Sequence, residues 1–192
     1  FEKLMKAISK SLKKNDPNHL NLGIRYGYIE QLDDELLRIS KESFDALSFN
    51  CYALSPDHEK MNHALEISGL PMIIGEYHFG TVDRGLAQSL WQVNSQKERG
   101  DAFRYYTENA FAHRGLIGTG WFRWIDQNIN GRTDGENYNC GFIDVTDRPY
   151  PYMVDAAIKT AKSLYEIHSG TKTPFHQAPN AVGHSPIPDL WE

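Results

Sequence analysis

Pro71-Met-Ile-Ile-Gly-Glu-Tyr-His-Phe-Gly80 is the stretch whose reading decides the fold. An apolar run led by Ile73 and Ile74 and stopped at Gly80 reads as a buried β-strand that ends on a carboxylate. Side chains alternate along a strand, which predicts that Met72, Ile74, Glu76 and His78 share one face. An acid at the C-terminal end of a parallel strand stands where α/β barrels keep their chemistry. A salt-bridged glutamate at a strand end is the plain structural alternative.

The same rhythm extends outward. Residues 1–14 put Phe1, Leu4, Met5, Ile8 and Leu12 on one helical stripe, and Asn15-Asp-Pro-Asn18 breaks it. Residues 19–27 and 44–52 read as strands. In the first, Leu20, Leu22 and Ile24 oppose Asn21, Gly23 and Arg25. In the second, Leu47, Phe49 and Cys51 oppose Ala46, Ser48, Asn50 and Tyr52. Helices follow at 33–43 and 57–68, the latter with Pro56 before it and Gly69 closing it. After the strand at 72–79 come a helix near 98–113, a strand at 116–124, a polar loop at 126–141 and a helix at 151–168. The Pro- and His-rich stretch from Ser169 lacks periodicity and reads as an irregular strap.

A helix followed by four β-α units implies a parallel sheet in an α/β fold. In a doubly wound sheet both strand faces are apolar. Here one face is small or polar and ends in Arg25, Asn50 or Tyr52, which suits a closed barrel whose strand ends line a pocket. A whole barrel needs eight units and ~250 residues. The expectation is therefore half of a (β/α)8 TIM barrel, with residues 1–168 as its C-terminal half and 169–192 as a tail.

Bulk properties narrow the function. The 192 residues are enough for one domain with a real core, and 40% hydrophobic with 23% charged residues is an ordinary globular balance. A net charge of −5 argues against nucleic acid as a partner, and no run is apolar and long enough to span a membrane. The lysines at 3, 6, 10, 13 and 14 suit the wet face of the first helix. Cys51 and Cys140 match no metal spacing, and Cys51 reads as a buried thiol. Neither a GxGxxG nor a GxxxxGK[ST] motif occurs, so nucleotide binding has no support. Chain start at Phe1, inside a helical pattern, reads as a piece of something longer, with any leader upstream.

Four strand ends are expected at one pocket mouth. They bring Arg25, then Asn50 and Tyr52, then Glu76 and His78, then Trp124 with Asp126 and Gln127. A Tyr hydroxyl and an Arg favour the charged form of a neighbouring carboxylate, which suits a nucleophile. An indole beside carboxylates suits sugars, the ring covering the C–H face while polar groups take the hydroxyls. Trp121 and Trp124 have opposite parity, and Trp124 is the expected inward residue because it is nearer the strand end. Tyr52 and Trp124 also suit a core, Arg25 an ion pair with Glu76, and His78 a satisfied hydrogen-bonder. Zinc lacks ligand spacing, and the segment from Gly131 to Asn137 resembles a calcium loop in composition only. No metal and no cofactor are expected.

Several blocks together resemble the β-agarases of glycoside hydrolase family 50. They are Asp16-Pro-Asn-His-Leu-Asn-Leu-Gly23, Ser48-Phe-Asn-Cys-Tyr52, Ile74-Gly-Glu-Tyr-His-Phe-Gly80, Val82-Asp-Arg-Gly85, Gly118-Thr-Gly-Trp-Phe122, Asp126-Gln127, Gly135-Glu-Asn-Tyr138, Gly141-Phe-Ile-Asp144 and Pro149-Tyr-Pro151. They run in order from about residue 15 to residue 168. The resemblance implies a retaining glycosidase on a (β/α)8 barrel, with Glu76 as the nucleophile ending barrel strand seven and the four strands here as barrel strands five to eight. It implies a general acid/base Glu after an Asn at the end of strand four, outside this chain, and a further N-terminal sandwich domain. In Gly120-Trp-Phe-Arg-Trp124, Gly stands where agarases often have His, and Trp124 where many carry another aromatic; both bear on the substrate rather than on the chemistry.

The expected function is hydrolysis of β-galactosidic linkages in agar-like galactans through a covalent glycosyl-enzyme on Glu76. Arg25, Asn50, Tyr52, His78, Trp124, Asp126, Gln127, Glu136 and Asn137 are the expected substrate-binding residues, the last two in the loop that shapes the cleft. The expected partners are a galactan oligosaccharide or polysaccharide and the N-terminal half of the same barrel, and the family places such enzymes outside the cytoplasm, secreted or periplasmic. Alone, the chain is expected to be inactive and to self-associate or aggregate. A non-catalytic carbohydrate-binding or structural remnant of a glycosidase is the rival, and a flavin or phosphate barrel a third reading, disfavoured because Asp83 would repel a phosphate.

Overall fold

The computed structural model describes residues 1–184. Along them run α1 (Glu2–Asn15), β1 (Arg25–Tyr26), a 3-10 turn (Ile29–Gln31), α2 (Asp34–Ser43), β2 (Leu47–Asn50), α3 (His58–Ser68), β3 (Met72–Tyr77), β4 (Trp91–Gln92), α4 (Gln96–Phe111), β5 (Leu116–Trp121), α5 (Pro151–His168) and β6 (Val182–Gly183). Local chemistry sets the ends. Asp33 caps α2 by accepting from the Leu36 N–H, and Asp57 caps α3 by accepting from the N–H groups of Glu59 and Lys60. Gly69 closes α3 at φ 66, and Pro151 opens α5 where its missing N–H costs no hydrogen bond.

Two compact units are present. The first holds Phe1–Cys51, Asp57–Gly75 and Gly115–Gly120. Its centre is a parallel sheet in the order β1-β2-β3-β5, with Arg25 opposite Ser48 and Tyr26 opposite Phe49. Leu47, Phe49, Met72, Ile74 and Leu116 are fully buried. Met5 of α1, Ile39 of α2 and Phe44 form a buried cluster with Leu70 packed against it, and the Tyr26 and Ser40 hydroxyls share a 2.7 Å hydrogen bond. At Gly75 the stem of Arg25 occupies the space that a side chain on the strand would take.

The second unit holds Tyr52–Pro56, Glu76–Arg114 and the described chain from Trp121 to residue 184. Its frame is the pair α4 and α5, which approach so closely at Gly100 that a Cβ would meet the Tyr152 carbonyl oxygen at 2.6 Å. Tyr77 stacks on Tyr106 of α4 with ring centroids 4.1 Å apart, and Phe79 meets the same ring edge-on. Residues 169–184 are irregular apart from β6, which pairs antiparallel with β4, Trp91 opposite Gly183. Residues 185–192 of the expected tail lie outside the described residues.

Three expectations are corrected. The first strand is two residues long, not nine: Leu20, Leu22 and Ile24 are exposed, and Asn21 is held instead by Asp45 and the Ser43 carbonyl. Of the apolar stripe on α1 only Met5 is buried. The grouping of Met72, Ile74, Glu76 and His78 on one face also fails. Buried positions in β3 step by two, from Met72 to Ile74, and then by three to Tyr77, leaving Glu76 half-buried, as where a bulge resets the alternation.

Candidate active site

Glu76 is the penultimate residue of β3, and Tyr52 follows β2 by two residues. The Tyr52 hydroxyl donates to Glu76 Oε2 at 2.8 Å. Tyr52 is buried, and burial together with the Glu76 charge pushes its hydroxyl well above the usual phenol range. The phenol therefore stays a proton donor at any working pH and fixes the plane of the carboxylate.

His78 stands behind this pair. Its ring meets Tyr52 edge-on at 4.9 Å and Tyr138 at 5.8 Å. Its Nδ1–H donates to the Phe122 carbonyl at 3.1 Å, and its Nε2 accepts from the Leu90 N–H at 3.1 Å. A carbonyl only accepts and an amide N–H only donates, so the imidazole is neutral with a single tautomer. Burial, helped by the Arg99 charge, pushes its pKa down to about 3. Both ring nitrogens are thus occupied, and His78 supports Tyr52 rather than offering a hydrogen bond to a ligand.

The two tryptophans lie in different surroundings. Trp121 ends β5 and packs among Tyr77, Phe103 and Phe142, its indole N–H donating to the Cys140 carbonyl at 2.7 Å. Trp124 lies three residues beyond the strand, is 68% exposed and stacks on Phe142, which leaves much of its ring surface open. The expected strand over 116–124 stops short, at Trp121.

The loop carrying Asp126, Gln127, Glu136 and Asn137 is braced by its own side chains. Asp126, almost fully buried, accepts from the Gly141 N–H (2.7 Å), Asn139 Nδ2 (2.8 Å) and the Tyr150 hydroxyl (2.6 Å). Gln127 accepts from the Tyr138 N–H and donates to Glu136, which also pairs with Arg132 at 3.2 Å. Asn137 accepts from the Ala87 N–H and donates to the Ile129 carbonyl. These four residues are brought together, but the bonds described hold the loop in shape. Arg25 and Asn50 lie in the first unit, Arg25 exposed at the start of β1 and Asn50 half-buried at the end of β2. A role for them beside Glu76 rests on the sequence reading alone.

Two contributors escaped the sequence reading. Tyr138 is one of the aromatic partners of His78, and its signal was its place beside the polar loop residues Glu136 and Asn137. Arg99 is fully buried, donates to the Asn139 carbonyl at 2.9 Å and stacks at 4.4 Å on the Tyr150 ring. An arginine in a helix pattern reads as solvent-facing, so nothing local betrays it. Among the described residues no group of three or more His, Cys, Asp or Glu side chains is placed to hold a metal.

No protein-family model matches the chain. Similarity to individual proteins is extensive. β-Agarase A of Vibrio sp. (strain JT0107) is 37% identical over 166 residues, which is 83% of this chain and 16% of the relative. β-Agarase B of the same organism is 35% identical over 170 residues, 85% of this chain and 17% of the relative. The chain thus spans about one sixth of the length of the curated relatives it matches. Among solved structures, PfGH50B superimposes with a TM-score of 0.82 at 36% identity, covering 87% of this chain and 24% of that one. The agarase AgWH50C gives 0.81 at 36% identity, over 87% and 26%. Sequence and fold agree: this chain belongs to glycoside hydrolase family 50, as a β-agarase-like half of a (β/α)8 barrel built on four parallel strands.

Proposed function

We propose that the chain supplies the nucleophile side of a retaining glycosidase site that cleaves β-galactosidic linkages in agar-like galactans. The observation that carries this reading is the 2.8 Å hydrogen bond from a buried Tyr52 to Glu76 at the end of a parallel strand. Retention needs two carboxyl groups ~5–5.5 Å apart. Glu76 attacks the anomeric carbon as the glycosidic C–O bond breaks, and a carboxylic acid opposite protonates the leaving oxygen. Water, activated by that second group, then hydrolyses the glycosyl-enzyme and frees Glu76. The second carboxyl is proposed to come from polypeptide N-terminal to this chain. Within the second unit two other carboxylates already have partners: Glu136 binds Gln127 and Arg132, and Asp126 braces the loop.

Tyr52 holds the nucleophile in its attacking orientation, and the open face of Trp124 covers the apolar side of a sugar ring. The loop from Asp126 to Asn137 forms the rim. By itself the chain is proposed to be inactive, because it brings one carboxylate of the two. A polymeric galactan is met outside the cytoplasm, so a secreted or periplasmic site of action follows from the same reading. The test is product analysis of the full-length polypeptide on agarose and on related galactans, with Glu76→Gln as the control. Release of β-configured products by the parent and none by the variant is the expected result; equal release by both would remove Glu76 from the reaction.

A further inference from the structure

Asn139 is fully buried, and both ends of its side-chain amide are bonded, as is its carbonyl. Its Oδ1 accepts from Gln96 Nε2 at 2.7 Å and from the Thr81 hydroxyl at 3.0 Å. Its Nδ2 donates to Asp126 Oδ2 at 2.8 Å and to the Tyr150 hydroxyl at 2.9 Å. Its carbonyl accepts from Arg99 Nη1 at 2.9 Å. That carbonyl also lies against Gly80, where a Cβ would meet it at 2.7 Å. Asn139 therefore ties the loop at 126–141 to Gln96 and Arg99 of α4 on one side, and to Gly80 and Thr81, just past β3, on the other. Moving a buried amide with every partner in place would strand donors and acceptors that water does not reach.

These ties close on His78 from two directions. Gly80 and Thr81 follow it in the chain by two and three residues. Tyr138, the neighbour of Asn139, meets the His78 ring at 5.8 Å. Its backbone is fixed further by Gln127, whose Oε1 accepts from the Tyr138 N–H at 2.6 Å and whose N–H donates to the Tyr138 carbonyl at 3.1 Å. His78 in turn meets Tyr52 edge-on at 4.9 Å, and Tyr52 donates to Glu76. A contact between ring faces and edges has no directional bond of its own, so the place of each ring is set by what pins the backbone behind it.

Resting on the reading of Glu76 as the nucleophile, we infer that Asn139 is a positioning residue for it: without touching substrate, Asn139 fixes His78, and through His78 the Tyr52 hydroxyl that orients the carboxylate. A misplacement of ~1 Å that starts away from the chemistry can cost about 10²-fold in rate. A residue that only stabilised the loop would use the same bonds, and a double-variant cycle separates the two roles.

The experiment is that cycle in the full-length polypeptide, read as kcat/KM on a neutral agar-derived hexasaccharide, which covers the steps through attack by Glu76. Asn139→Ala is expected to lower kcat/KM about 10- to 100-fold. Gln96→Met removes one donor to Asn139 and leaves the loop sequence intact; its expected loss is about three- to tenfold, the scale of one neutral hydrogen bond. In the Tyr52→Phe background both losses are expected to shrink to within twofold, because the bond they act through is gone, while the fall in melting temperature stays the same in either background. If Asn139→Ala does not fold, the Gln96→Met arm decides alone. Losses of full size in the Tyr52→Phe background, or folded variants with kcat/KM within twofold of the parent, overturn the positioning role. A Glu76→Gln variant as active as the parent overturns the nucleophile reading instead, and a parent that leaves the hexasaccharide intact overturns the galactan reading; both results are distinct from the first two.

Discussion

Tyr52 and Glu76, 24 residues apart in sequence, are joined by a hydrogen bond of 2.8 Å whose donor cannot ionise in the working pH range. The phenol is buried and its neighbour carries the negative charge, so both effects keep the proton on Tyr52. A hydrogen bond to a charged group contributes about 1.5–3 kcal/mol. Tyr52→Phe keeps the ring that packs on His78 and removes only this donor. The expected result is a fall in kcat of about 10- to 100-fold in the full-length enzyme, with little change in melting temperature. A kcat within twofold of the parent would show that the bond does not orient the nucleophile.

Glu76 itself is tested by chemistry that separates a nucleophile from an acid/base. Glu76→Gly in the full-length polypeptide should lose roughly 10³-fold or more, the scale of losing a covalent catalyst. Added azide should then restore cleavage of an activated aryl β-galactoside and give the α-galactosyl azide, because the small anion attacks from the vacated side. A β-galactosyl azide would instead assign Glu76 to the acid/base role.

His78 predicts a pH dependence of stability. Its pKa in the folded protein is pushed down to about 3, against ~6.5 for an unperturbed histidine. Between those values the unfolded chain binds a proton that the folded one does not, so stability falls as pH falls from about 6.5 toward 3 and is insensitive to this group above that window. His78→Gln, whose amide can donate to the Phe122 carbonyl and accept from the Leu90 N–H, should be less acid-sensitive. Melting curves of parent and variant from pH 7 to pH 4 check it: the two lines should converge as pH falls. Parallel lines would mean that His78 charges freely in the folded state.

The sequence was most readable where one local rule sufficed. The proline that opens α5 and its apolar spacing mark Pro151–His168 to the residue, and Asp33, Asp57 and Gly69 mark the ends of α2 and α3 as caps should. It was least readable where extended backbone is held by something other than a ladder. Residues 20–24 alternate like a strand, yet Asn21 and Asp45 tie that segment down through side chains, and periodicity cannot tell the two apart. The site divides in the same way. The pairing of Tyr52 with Glu76 follows from parallel strand ends meeting. The occupied nitrogens of His78 do not, because their partners, Phe122 and Leu90, are 44 and 12 residues distant. Asp126 and Gln127 looked like ligand groups for want of any sign that Asn139, Gly141 and Tyr138 bind them first.

Glu108 is the residue on which the strap after α5 depends. It is buried in α4, where its Oε1 accepts from Arg104 Nε at 2.9 Å and from the Thr160 hydroxyl of α5 at 3.0 Å. Its Oε2 accepts from the Phe175 N–H at 2.8 Å, while Arg104 lies 4.4 Å over the Phe175 ring. Glu108→Ala removes the acceptor for three donors at once and leaves the Arg104 charge without its carboxylate partner. Breaking a buried pair in this way costs about 3–5 kcal/mol. Glu108→Gln keeps the size and one acceptor oxygen, so it should cost less. Because Phe175 precedes β6 and His184 in the chain, the damage should spread beyond α4 and α5. In the full-length polypeptide, Glu108→Ala should lower the denaturant midpoint and also speed hydrogen exchange at His184, whose N–H is held by the Leu90 carbonyl. Loss of stability with unchanged exchange at His184 would show that β6 is held by β4 alone, and that the carboxylate serves only the two helices.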